Sequence, residues 1–287
     1  MAASMSHEER RASAAESFAI FAPGAAPERV AESLARRQGA LGAMAFEVVG
    51  AMWSRPQLSR RDRSLMVISV LAAQARDDEL VLHTQVGLRN GLTQSEIEET
   101  LLHVAAYAGY PAAMAASRRV DQGLREALGV ERLPDRAAHQ PKSDAERDRD
   151  GASVLSTIAG AAQPLSADEG LARMQALLGE LGVTAYRWAF GEIWSRPELS
   201  RRDRSIVVIA ILISLGAVAE LDVHFPAGLR HGLSRAELEE IVNHLSLYAG
   251  IPRAVEAMRA LRAALARLDE ATPGAGAGVS GPLARPV

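Results

Sequence analysis

Residues 53–64 read WSRPQLSRRDRS and residues 194–205 read WSRPELSRRDRS, differing only at Gln57 and Glu198. The offset of 141 holds without a gap through Glu79/Glu220, His83/His224, Gly91/Gly232, His103/His244 and Tyr107/Tyr248 to Pro111/Pro252, with about half of the positions identical. Similarity at one fixed offset over such a length marks duplication and fusion of one ancestral domain. The 287 residues therefore divide into residues 1–27, a mobile polar start; 28–130, a first domain; 131–151, a polar linker; 152–270, a second domain; and 271–287, a disordered tail rich in Gly and Pro.

Within each copy the apolar pattern is helical. Arg29 to Met52 carries Val30, Leu34, Leu41, Met44 and Val48 at helical spacing, and Leu65 to Ala75 is an apolar run suited to a buried helix. A third helix holds Glu79, His83 and Val86 and stops at Asn90-Gly91. Thr93 with Glu96, repeated as Ser234 with Glu237, is a capping box that opens a fourth. Pro111 suits the first turn of a fifth, running to about Leu128. No segment alternates with period two over a useful length, so the fold expected is all-α, two tandem helical domains.

Composition narrows the function. With 35 acidic and 32 basic residues, the net charge of −3 gives no electrostatic reason to expect nucleic acid or an anionic membrane as partner. The longest apolar run, Ile206 to Gly216, has 11 residues, short of the roughly 20 that span a bilayer. The first 17 residues lack the apolar stretch of a secretory signal. There is no cysteine, which removes disulfides, thiolate metal sites and cysteine nucleophiles together and fits a cytoplasmic protein.

Four kinds of residue are candidates for chemistry. Glu79/His83 and Glu220/His224 are i,i+4 pairs on one helix face. A carboxylate beside an imidazole is one way to make a general acid or base, and an ordinary surface pair has the same spacing. His103 and His244 form a second matched set on the capping-box helix, read either as buried core residues or as pocket lining. Joining His83, His103 and Glu79 would give nitrogen and oxygen ligands suited to zinc or iron, but no metal-binding spacing is present, so no metal is expected. Arg63 and Arg204, next to the buried runs, are the arginines best placed to hold a carboxylate. Trp53 and Trp194 suit a core or an interface, with a place at the pocket wall as the other option.

The string LSRRDRSLMVISVLAAQARDDELVLHTQVGLRNGLTQSEIEETLLHVAAYAGYPAA, residues 58–113, resembles the carboxymuconolactone decarboxylase family, over about 45–128 in the first copy and 186–270 in the second. The peroxidase branch of that superfamily carries Cys-x-x-Cys ahead of its histidine. Here those positions are Arg76 and Glu79, and Ala217 and Glu220, which argues against peroxidase chemistry. The decarboxylase branch is matched by Glu79-Leu80, His83, Asn90-Gly91, Tyr107, Gly109 and Pro111, and by Gly191-Glu192-Ile193-Trp194 in the second copy.

The resemblance implies cofactor-independent decarboxylation of a carboxy-substituted unsaturated lactone or a related small organic acid. His83 would be the acid, Glu79 the group that sets its state, Arg63 the carboxylate anchor and His103 a pocket residue, with His224, Glu220, Arg204 and His244 as second-copy counterparts and Glu192 a further substrate-binding candidate in the second copy alone. The copies differ at Asn90/His231, Ala51/Glu192 and Gln85/Pro226. One copy is then expected to have kept the chemistry, and the intact Asn90-Gly91 end favours the first. The alternatives are an isomerase, cyclase or lactone-opening enzyme on a biosynthetic intermediate, and a non-catalytic binding or scaffold protein. Relatives assemble through shared helices, so a homotrimer of two-domain chains is expected.

Overall fold

The computed structural model describes residues 6–136 and 138–271, and among these it contains helices and no strand. The first repeat comprises α1 (His7–Phe21), α2 (Pro27–Gln38), α3 (Ala40–Trp53), α4 (Arg60–Ala73), α5 (Asp77–Arg89), α6 (Gln94–Tyr107) and α7 (Tyr110–Leu128). The second comprises α8 (Asp144–Ala159), α9 (Ala167–Leu178), α10 (Glu180–Thr184), a π-helix (Ala185–Trp194), α11 (Arg201–Leu215), α12 (Val218–Arg230), α13 (Arg235–Leu245) and α14 (Ile251–Ala271). The all-α duplication read from the sequence is the architecture observed. No described helix is long and apolar enough to cross a membrane.

Helices α4 and α11 form the centre, packed against each other. Every residue from Asp62 to Ala72 and from Asp203 to Ser214 is buried, as the apolar runs require. Burying each of these aliphatic side chains contributes about 1.5–3 kcal/mol, so this helix pair carries much of the fold's stability. Around it the repeats interleave, with α6 also packing on α11 and α13 on α4. The caps form where the sequence placed them: Thr93 and Ser234 close capping boxes with Glu96 and Glu237. Gly91 and Gly232 take the positive φ, +93° and +101°, that ends α5 and α12.

Three segments depart from expectation. The single helix anticipated from Arg29 to Met52 is two, broken at Gly39 with φ +61° and ψ −135°, a conformation open to glycine but strained for other residues. The turn folds α3 so closely onto α2 that a Cβ at Gly42 would lie 2.1 Å from the Leu34 carbonyl oxygen. Residues 1–27, expected to be mobile, include α1, which is capped by Ser6 and Glu9 and packed on α3. Its inner face is Ala14, Ser17, Phe18 and Phe21, helical spacing in which two of the four residues are small, so the apolar stripe is thin. The linker ends at Ser143, because the charged stretch after it forms α8, with Arg147 paired to Glu192 and Arg187 to Asp148. The tail from residue 272 lies outside the described residues.

The π-helix has a simple origin. Gly39 and Gly42 correspond to Gly179 and Gly182 at an offset of 140, whereas Gly50 and Trp53 correspond to Gly191 and Trp194 at 141. The second repeat thus has one extra residue inside the helix equivalent to α3, and wider i→i+5 turns absorb it without rotating Trp194 out of place.

Ala75 follows α4 with φ +53°, and its counterpart Gly216 has φ +73°. A left-handed alanine is strained by about 1–2 kcal/mol, part of which glycine's greater freedom in the unfolded chain cancels. Ala75→Gly is therefore expected to stabilise the protein by about 0.5–1 kcal/mol in urea unfolding. A loss of stability would contradict the strain.

Candidate functional site

Two equivalent clusters lie at the junction of the repeats, and each draws residues from both. In the first, His83 of α5 and Trp53 of α3 meet His244 of α13 and Tyr248, just beyond it. Trp53 Nε1 donates to the Tyr248 hydroxyl at 2.9 Å, and the His83 ring lies edge-on to Tyr248 at 5.6 Å and stacked near Trp53 at 6.0 Å between centroids. In the second, His224 of α12 and Trp194 of the π-helix meet His103 and Tyr107 of α6. Trp194 Nε1 donates to Tyr107 at 2.9 Å, with His224 at 5.6 Å from Tyr107 and 6.1 Å from Trp194.

The expected sets are thereby exchanged. His83 sits with His244, and His103 with His224, so the trio of His83, His103 and Glu79 considered for a metal is not brought together. Among the described residues no group of three or more His, Asp or Glu side chains is placed to hold a metal ion.

A buried arginine stands behind each cluster. Arg63 is fully buried and donates to His244 Nδ1 at 2.8 Å and to the Arg55 carbonyl at 2.7 Å, and it pairs with Glu240 at 2.9 Å. Arg204 mirrors it on His103 Nε2 at 2.9 Å, the Arg196 carbonyl at 2.7 Å and Glu99 at 2.9 Å. Arg55 and Arg196 complete the pattern by binding Glu240 and Glu99. These guanidinium groups are committed to internal partners across the repeat boundary. The carboxylate-anchor role expected of Arg63 and Arg204 gives way to positioning: they fix the second histidine of each cluster.

Because arginine only donates, the histidine nitrogen that meets it must be an acceptor. His244 and His103 are therefore neutral, each with its proton on the other, buried and unpartnered ring nitrogen. Burial and the adjacent arginines hold both well below the ordinary histidine range. Burial also lowers His83 to about 3 and, with neighbouring His231, His224 to about 4. It raises the phenols of Tyr107 and Tyr248 above their usual value. Each cluster is a largely buried, uncharged set of imidazole, phenol and indole.

Glu79 and Glu220 are exposed, and among the described residues neither hydrogen-bonds its histidine; the Nδ1 atoms of His83 and His224 are buried without a partner. The orienting role expected of the glutamates is not what this geometry provides. An i,i+4 spacing places two residues on one face without deciding whether the longer side chain turns toward water. Glu192 is paired with Arg147, at 2.8 Å.

The tyrosines and the glutamates behind the arginines escaped sequence reasoning, although His103/Tyr107 and His244/Tyr248 repeat a second i,i+4 pair that was there to be noticed. His231 is a further member. Its Nδ1 lies 2.7 Å from Ser205 Oγ, where the first repeat has Asn90 donating to Ser64 at 2.8 Å, and its ring lies against Trp194.

The family model described as "Carboxymuconolactone decarboxylase family" matches residues 39–122 and 181–263. A 4-carboxymuconolactone decarboxylase of Acinetobacter baylyi is 49% identical over 72 residues, 25% of this chain and 54% of that protein. A nitrosuccinic acid decarboxylase of Metarhizium robertsii is 37% identical over 71 residues, 25% of this chain and 50% of that protein. The chain spans about half the length of these curated relatives.

The lowered histidines tie stability to pH. An imidazole whose folded pKa is depressed favours the folded state above its unfolded pKa of about 6.5 and loses that contribution as pH falls toward the folded value. Between pH 6.5 and 5, His83 and His224 are each expected to cost about 2 kcal/mol of folding stability in urea titrations. Stability that stays flat over this interval would contradict neutral burial.

Proposed function

Because this chain belongs to the carboxymuconolactone decarboxylase family, we propose that it removes CO2, without a cofactor, from a carboxy-substituted unsaturated lactone or a related small organic acid. The observation that carries this reading is the pairing, in each cluster, of a neutral buried histidine with a tyrosine whose hydroxyl accepts from tryptophan and keeps its own proton to give.

Decarboxylation breaks one carbon–carbon bond. CO2 leaves, and the electron pair spreads through the conjugated ring onto the carbonyl oxygen. A dry aromatic pocket favours this step, since the charge becomes more dispersed as CO2 departs. The tyrosine hydroxyl hydrogen-bonds the developing oxyanion. The histidine then protonates carbon. In the empty protein it is neutral, but a bound carboxylate beside it favours the charged imidazolium, so the acid forms only when substrate is present. The indole N–H holds the tyrosine in place, and Arg63 and Arg204, each balanced by a glutamate, hold the remaining histidine.

For assembly, we propose a trimer of two-repeat chains. The support is the apolar surface of α3, α9 and the π-helix, where Leu41, Leu177 and Trp188 are 72%, 71% and 50% exposed.

The reading is tested by CO2 release over a panel of carboxylated lactones and β-keto acids. Release is expected from at least one lactone, with His224→Ala and Tyr107→Phe lowering kcat by about 100-fold or more. No release from any member of the panel, or full activity when His83→Ala and His224→Ala are combined, contradicts it.

A further inference from the structure

The two clusters differ in what lies in front of the histidine. Helices α1 and α8 end at equivalent places: Arg89 Nη1 donates to the Ile20 carbonyl at 3.1 Å, and Arg230 Nη1 donates to the Ile158 carbonyl at 2.7 Å. The next residue, the last of each helix, is Phe21 in the first repeat and Ala159 in the second. The Phe21 ring stands edge-on to His83 at 5.5 Å and to Trp53 at 5.2 Å. Ala159 instead borders a cavity of about 420 Å³ between α8, α9, the π-helix and α12 that reaches His224. That volume is within the range of small-molecule sites.

The cavity has an apolar wall, including Leu155, Met174 and Phe190, and charged groups that do not cancel. Asp222 is neutralised by Arg267 at 3.0 Å. Arg230 gives one amino group to the Ile158 carbonyl and keeps its charge, Glu220 lies on the α12 side, and Arg173 has no hydrogen bond or ion pair among the described residues. At the inner end is His224, with its buried, unpartnered Nδ1. Pro226, which replaces Gln85, has no N–H for the Asp222 carbonyl, so α12 lacks one helical hydrogen bond beside the cavity.

We propose that the His224 cluster is the ligand site of this chain. It takes a small organic acid with its carboxylate at Arg173 and its unsaturated body against Met174 and Phe190, while Phe21 keeps the His83 cluster closed. The residue that ends the first helix of each repeat decides access: phenylalanine fills the space and alanine leaves it open. This reverses the expectation that the intact Asn90-Gly91 end marks the working copy. The ligand class rests on the decarboxylase reading; the choice of cluster rests on the cavity.

The test uses the full chain labelled with ¹⁵N-histidine and titrated with benzoate, a planar monocarboxylate. The His224 ring signals are expected to shift and saturate while those of His83 stay still. Ala159→Phe should abolish the response, and Phe21→Ala should create one at His83, a gain that misfolding does not produce. Arg173→Gln should weaken benzoate about tenfold or more and leave benzyl alcohol unchanged. The proposal is overturned by a His83 response equal to that of His224 in the native chain. It is equally overturned by the absence of any shift at the solubility limit of benzoate, or by unchanged affinity in Ala159→Phe. Binding at His224 without CO2 release from any lactone would sink the decarboxylase reading alone, whereas release unaffected by Ala159→Phe would sink the choice of cluster alone.

Discussion

A guanidinium group with no access to water must find its counter-charge inside the protein, and here the counter-charge is on the other repeat. Arg63 of α4 relies on Glu240 of α13, and Arg204 of α11 relies on Glu99 of α6. Breaking such a buried pair typically costs about 3–5 kcal/mol, because the remaining charge stays in a poor solvent. The same arginines hold His244 and His103 in one neutral state and aim them at the tryptophan of the opposite repeat. Arg61 on Asp203 and Arg202 on Asp62 close the clasp at 2.9 Å each. Neither repeat can finish its own cluster, and the two are folded as one body for that reason.

Fusion removes the symmetry that a homodimer would impose. In a dimer of identical chains every substitution appears in both sites at once. Here the clasp keeps its residue types on both sides, while the surroundings of the histidines diverge: Phe21 against Ala159, Asn90 against His231, Gln85 against Pro226, and one residue added in the π-helix. These differences lie at the approach to each imidazole, and the arginine and glutamate behind it are the same in both repeats. The duplication thus supplies a rigid half-frame to a neighbour that is free to change its cavity.

The fold was legible because its signals are local. Capping boxes, Asn90-Gly91, Pro111 and the apolar runs act within one or two turns of chain, and the 141-residue offset is visible as text. The failures share the opposite cause. Nothing near Arg61 and Arg202 in sequence points to their partners, because Asp203 and Asp62 come from the other repeat. Glu79 is a sensible partner for His83 by spacing, yet the aromatic partner that reaches the ring, Tyr248, comes from 165 residues away in sequence. Helix α1 has only a thin apolar stripe, and part of its packing is through small residues: Ala14 meets Gly50, where a Cβ would lie 2.3 Å from the Ala14 backbone. The cavity at His224 depends on one alanine at a helix end, a position whose meaning appears only when the two repeats are superimposed.

The central claim is that each cluster is assembled across the repeat boundary. A double-mutant cycle on the full chain tests it most directly, using His224→Ala with Tyr107→Leu and, in parallel, His224→Ala with Tyr248→Leu, read by urea unfolding. With leucine rather than phenylalanine replacing each tyrosine, so that the ring contact itself is removed, a coupling of about 1 kcal/mol or more is expected for His224 with Tyr107, and additivity within about 0.5 kcal/mol for His224 with Tyr248. Coupling of His224 to Tyr248 in its own repeat, with additivity to Tyr107, would contradict it.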